Sequence, residues 1–161
     1  MVIGDPSKFA FECRFSDVKS LLGRVYVYIE GRRFGSNIDY ELDSFARELR
    51  VEVINCGLRF YPELIRFSAA DVFWIREELS ESEVVRVSDT LNISSDDLDN
   101  IFLYTPSYFL DSYAFAMVKS EFAERVYLYK SGENLFFDVL LGVDEFECCS
   151  MQLIEYIESR F

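Results

Sequence analysis

The strongest constraint on the fold is a change of hydrophobic period along the chain. Residues 8–15 alternate, with Phe9, Phe11, Cys13 and Phe15 on one face. A period of two marks a strand with one buried face. Residues 24–30 alternate again, setting Val25, Val27 and Ile29 opposite Tyr26 and Tyr28. Gly31 supplies a turn, and residues 32–38 can return as a third strand. From residue 39 to 50 the period becomes helical: Leu42, Phe45, Ala46 and Leu49 share a face, with Asp39, Glu41, Asp43 and Glu48 outside. Asn37 or Asp39 is placed to cap this helix.

The middle of the chain is harder to read. Residues 51–54 suggest a short strand ended by Asn55-Cys56-Gly57. A helix can begin at Pro62 or at Ser68, where Asp71 three residues on resembles a capping box. Its apolar stripe is Val72, Ile75 and Leu79. Val84, Val85 and Val87 favour extended structure, and Ser94 or Ser95 can cap a short helix through residue 103, ended by Pro106. Residues 113–118 and 124–129 read as strands, residues 130–134 as a turn, and residues 135–141 as the returning strand. Ser150 is placed to cap a final helix with Leu153, Ile154, Ile157 and Phe161 facing the core. Hairpins without regular strand-helix-strand alternation predict an α+β fold. The expectation is a mainly antiparallel sheet built from hairpins, with three to four helices including a C-terminal one, in a single globular domain over residues 1–161.

Charge bounds the partners. The 161 residues carry 29 carboxylates against 16 cations, a net charge of −13 with no histidine, yet half of the chain is hydrophobic. Such a domain can fold, but its field repels nucleic acid and anionic membranes and attracts basic proteins. The 16 Phe and 10 Tyr suit a sheet-rich core, with tyrosines to spare for an interface. The N-terminal segment has no basic region followed by an apolar run, and no stretch is apolar enough to span a bilayer, so a cytoplasmic protein is expected. Cys13, Cys56, Cys148 and Cys149 lack zinc spacing, and reduced thiols are expected.

The usual catalytic constellations are missing. Without histidine there is no Ser-His-Asp or Cys-His arrangement, and the seven glycines form no phosphate loop. Asp96-Asp97-Leu98-Asp99 is the best metal candidate, but it lacks the framework of a calcium loop and suits an acidic helix start better. Paired-carboxylate glycosidase chemistry would need a deep cleft, of which the sequence gives no sign. The pair Arg32-Arg33 is too small for phosphate binding and reads as a hairpin end. The expectation is a protein that is not an enzyme and holds no cofactor or metal.

What remains is the distribution of charge. Twelve of the 16 cations precede Val87, and residues 87–118 and 131–159 contain none. Glu77, Glu78, Glu81 and Glu83 lead into the first tract, which holds Asp89, Asp96, Asp97, Asp99 and Asp111. The second holds Glu133, Asp138, Asp144, Glu145, Glu147, Glu155 and Glu158. On charge alone, Glu81, Glu83, Asp96, Asp97 and Asp99 are the candidate partner-binding residues, and Asp144, Glu145 and Glu147 form a rival patch.

The N-terminal decapeptide, residues 1–10, contains Gly4-Asp5-Pro6 just before the alternating run from Phe9. It resembles the opening of the immunity protein 42 family, small and usually acidic bacterial proteins of polymorphic toxin systems. The resemblance implies a cytoplasmic antitoxin that binds a cognate toxin domain, secreted or delivered by contact, in a one-to-one complex. A basic nuclease is the toxin that an acidic inhibitor would suit, with aromatic side chains at the contact centre. Gly4, Asp5 and Pro6 are then expected to be structural. Two other readings stay open: an acidic adaptor or regulatory module with a different basic partner, and a small carboxylate enzyme.

Overall fold

Gly4 sets the first turn of the chain. In the computed structural model, which describes residues 1–103 and 113–160, Gly4 has φ of +93°, and a Cβ there would lie 2.6 Å from the carbonyl oxygen of Phe9. Only glycine fits such a backbone. Asp5 then accepts hydrogen bonds from the Ser7 amide (2.9 Å) and hydroxyl (2.7 Å), which folds the loop through Pro6. Gly4 and Asp5 therefore end the first strand of a hairpin whose turn is residues 6–8, so one strand lies before the alternating run.

The strands are β1 (Val2–Asp5) and β2 (Phe9–Asp17), paired antiparallel with Asp5 opposite Phe9. The chain continues through β3 (Leu22–Ile29), β4 (Arg32–Phe34) and β5 (Tyr40–Glu41), giving the order β1-β2-β3-β4 with β5 on β3. The expected third strand stops at Phe34. Beyond it Gly35 has φ of +138°, outside the extended region, and the strand cannot run on to residue 38.

Helix α1 (Leu42–Ile54) begins three residues later than expected and ends four residues later. Asp39 does not cap it: its carboxylate accepts from Arg24 at 2.5 Å. The segment expected as a strand, residues 51–54, is the last turn of α1. β-branched side chains weaken a helix only slightly. That cost is outweighed because α1 packs along the C-terminal helix and sets buried Glu52 against Arg59. Arg59 also donates to the Glu52 carbonyl at 2.8 Å.

Helix α2 (Ala69–Leu79) starts at the Ser68–Asp71 capping box. The hairpin β6 (Val84–Arg86) and β7 (Asn92–Ser94) leads directly into α3 (Ser95–Ile101). A second sheet follows, β8 (Tyr113–Lys119), β9 (Glu124–Lys130) and β10 (Leu135–Leu141), in the order β10-β9-β8. The chain closes with α4 (Glu145–Glu158). The fold is α+β, with antiparallel hairpin sheets and four α-helices among the described residues. The expectations for Pro106, Asp111 and Phe161 lie outside those residues.

The second sheet is the middle layer. One face, with Phe115, Met117, Val126 and Leu128, joins β1–β3, α1 and α4 in a single core. The other, with Ala116, Val118 and Tyr127, packs under α2, α3 and Leu64. Burial on both faces explains why residues 115–118 and 126–128 read as continuous apolar runs. Asp138, the one charge within the apolar tract of β10, ties the layers together. It takes two hydrogen bonds from Arg125 (3.1 and 2.6 Å) and one from the Ala69 amide at the start of α2 (3.0 Å).

Candidate functional site

Pairing between β6 and β7 puts Val84 opposite Ser94. That register brings Glu83 across from the first residues of α3, so Glu81 and Glu83 share an end of the molecule with Asp96 and Asp99. All four carboxylates are exposed. Glu77 and Glu78, in the last turn of α2, are exposed as well. None of these six forms an ion pair among the described residues. Two of them also stand at a helix C-terminus, where the helix dipole disfavours negative charge.

Asp97 differs from its neighbours. Ser94 and Asp97 cap α3 reciprocally, and Asp97 also accepts a 2.6 Å hydrogen bond from the Tyr61 hydroxyl. Burial opposes ionisation of Asp97, but the bonds from Tyr61 and Ser94 outweigh it and hold the carboxyl below its ordinary range. Burial first, then Asp97, pushes Tyr61 up to about 12. Asp97 is thus a helix cap. The sequence alone could have shown this, because Ser94 and Asp97 have the same spacing as Ser68 and Asp71.

The rival patch is built quite differently. Ser150 does not cap α4: it is buried within the helix. The cap comes from β9, where Glu124 is fully buried and accepts from the amides of Asp144 (3.1 Å) and Phe146 (2.8 Å). Lys119 lies 3.0 Å from Glu124, 3.0 Å from Asp144, and in contact with Glu147. Glu145 is held by Lys8 at 2.7 Å and by the Gly142 amide at 2.7 Å. All three residues of the rival patch are consequently bound to cations within the chain.

Glu124, Asp144 and Glu147 bring their oxygens within 4.8 Å of one another, spacing that could hold a metal ion. The Lys119 ammonium supplies the positive charge there instead. Burial, then the Glu147 carboxyl, pushes Glu124 up to about 7. Glu147 is half-buried, yet the bonds with Glu124 and Lys119 keep it below its ordinary range. The two carboxylates titrate as a pair, and their opposite shifts assign a shared proton to Glu124.

The sequence had placed acidity in two late tracts, and folding treats them differently. Lys119, Arg125, Lys130, Lys8 and Arg50 neutralise much of the second tract through Asp144, Asp138, Glu133, Glu145 and Glu158. The residues from Glu77 to Asp99 keep most of their charge. The cysteines carry no disulfide, and burial raises the Cys13 and Cys149 thiols to about 11 and Cys56 to about 12, which suppresses their nucleophilic form. No helix among the described residues is long and apolar enough to cross a membrane.

One surface feature escaped the sequence reading. Trp74, the chain's sole tryptophan, stands on the outer side of α2 and is 49% exposed. Beside it Phe136 of β10 stacks on Tyr129 of β9, with ring centroids 4.8 Å apart. Ala70, Phe73, Arg76, Glu77 and Ser80 complete a groove of about 370 Å³. The apolar period of α2 runs through Val72 and Ile75 and gives no reason to single out Trp74, and its pairing with a strand some sixty residues later is invisible locally.

The fold is that of a small α+β protein, and its exposed Glu77, Glu78, Glu81, Glu83, Asp96 and Asp99 form no ion pair among the described residues. The profile of the immunity protein 42 family matches residues 1–156, and the chain belongs to that family. In fold it is similar to CdiI from Burkholderia dolosa AUO158, known from its crystal structure, with a TM-score of 0.70 and 16% identity over 97% of this chain and 99% of that one. Comparison with curated proteins gives no match.

Proposed function

We propose that this chain is an immunity protein that binds and neutralises a cognate toxin domain through the acidic face formed by Glu77, Glu78, Glu81, Glu83, Asp96 and Asp99. It acts in the cytoplasm as a stoichiometric inhibitor, one-to-one and without catalysis. The toxin reaches the cell by secretion or contact, as the family and the likeness to a CdiI fold suggest. Its binding surface is basic, and a nuclease fits best because its active surface must hold phosphate.

The observation that carries this reading is the unequal fate of the two acidic tracts. Asp144, Glu145 and Glu147 are spent on lysines within the chain, whereas the α2–α3 end keeps six exposed, unpaired carboxylates. Charge of this kind raises association rates and excludes wrong partners. The test is co-expression with the toxin domain encoded immediately upstream. The reading predicts restored growth and a copurifying one-to-one complex. Growth arrest despite soluble, folded protein would contradict it, and capture of the chain by an unrelated basic protein would favour the adaptor reading.

A further inference from the structure

The groove beside the acidic face has the chemistry of a guanidinium site. We infer that the Trp74 groove receives an arginine side chain of the cognate toxin domain, stacked on the Trp74 ring with its fork turned to the Glu77 carboxylate. The inference rests on the proposed antitoxin function and names the contact at its centre.

Three observations meet here. The groove is aromatic on both sides: Trp74 from α2, and the stacked Tyr129 and Phe136 from the second sheet. Its polar wall includes Glu77, an exposed carboxylate without an ion-pair partner among the described residues, at the negative end of a helix. The chain already uses this chemistry internally, since Arg33 lies 4.6 Å from the Tyr26 ring centre and Arg76 4.9 Å from that of Phe102. Tryptophan offers the best face for such contacts, yet no cation lies over Trp74 among the described residues. Arg76 borders the same groove, but its guanidinium is engaged with Phe102.

Charge complementarity selects the occupant. A neutral apolar side chain would leave Glu77 without a counter-ion, and an acidic one would be repelled by Glu77, Glu78 and Glu81. Arginine suits the site better than lysine because a planar guanidinium can stack on a ring and direct its N–H fork at a carboxylate at the same time. Tryptophan and arginine are also the residues that most often dominate binding energy at interfaces.

The single tryptophan makes the site its own reporter. The experiment titrates the chain with the upstream toxin domain and, separately, with a tetra-arginine peptide and its tetra-citrulline counterpart, while Trp74 emission is followed. The proposal predicts a saturable emission change with toxin and with tetra-arginine, none with tetra-citrulline, and loss of the peptide response in Glu77→Gln. Toxin affinity should fall about tenfold or more in Trp74→Ala and in Glu77→Gln. Neither side chain is part of the core, so circular dichroism should be unchanged.

If wild type and both variants bind toxin equally with Trp74 emission unmoved, the inference is wrong while the antitoxin function stands. If wild type does not bind toxin at all, the function itself fails, and the inferred occupant with it. An emission change that tracks the chain's own concentration would place a second copy in the groove and overturn the proposal. An equal response to citrulline would remove the guanidinium from it.

Discussion

Replacing Glu124 tests the least expected piece of the architecture, a buried carboxylate from β9 that caps α4 and holds Lys119. In Glu124→Ala the amides of Asp144 and Phe146 lose their acceptor, and Lys119 loses one of its three carboxylates. A lost helix cap costs about 1 kcal/mol, and a buried amide left unpaired costs about 1–3 kcal/mol. Together the expected loss is about 3 kcal/mol, a fall in Tm of about 6–12 °C for a chain of this size. Glu124→Gln should behave otherwise, because its carbonyl can still accept from both amides and its NH2 can donate to Glu147. The sign of the pH dependence follows from the raised pKa. Between the ordinary glutamate range and about 7 the folded state holds a proton that the unfolded state has released. Wild type should therefore lose stability relative to Glu124→Gln as pH rises through that window. Urea denaturation at several pH values, with the m-value as a check on two-state behaviour, measures both effects. An alanine variant within about 0.5 kcal/mol of wild type would refute the cap. A glutamine variant as damaged as alanine, with no divergence across pH, would refute the shared proton.

Other substitutions probe the frame around the site. Gly4→Ala forces a side chain into a positive-φ turn against the Phe9 carbonyl and should cost about 2 kcal/mol in urea melts. Arg59→Ala removes the buried ion-pair partner of Glu52 and should cost about 3–5 kcal/mol, whereas replacing both by methionine should recover most of it. Asp97→Asn weakens the α3 cap and should lower thermal stability by about 1 kcal/mol with little direct effect on association rate. Affinity for toxin should weaken as salt rises from about 50 mM to about 500 mM, read by titration calorimetry.

Hairpins and helices were legible where one periodicity or one turn residue dominated. Phe9, Phe11 and Cys13 alternate because a single face of β2 meets the core, and Ser68 announces its helix through a capping box. The failures came where tertiary contacts decide. Residues 51–54 look extended by composition, but packing along α4 and the Glu52–Arg59 pair carry α1 through them. Ser150 looks like a cap, but the helix starts at Glu145 because Glu124 satisfies its first amides from another strand. The site divides in the same way. Exposed acidity at Glu81, Glu83, Asp96 and Asp99 could be foreseen, whereas neutralisation of Asp144, Glu145 and Glu147 by Lys119 and Lys8 could not, since the lysines are remote in sequence. Trp74 acquires its aromatic neighbours only when β10 folds beneath α2.

The account's central claim is that the α2–α3 end meets the toxin. The most direct measurement is the association rate of the upstream toxin domain with a variant in which Glu81, Glu83, Asp96 and Asp99 are replaced by their amides, set beside Asp144→Asn. The account predicts that the fourfold variant keeps its fold, associates about tenfold more slowly and loses most of its salt dependence, while Asp144→Asn stays close to wild type. A fourfold variant that binds at the wild-type rate with the wild-type salt dependence, while Asp144→Asn slows, would contradict it and move the interface to the Lys119 face.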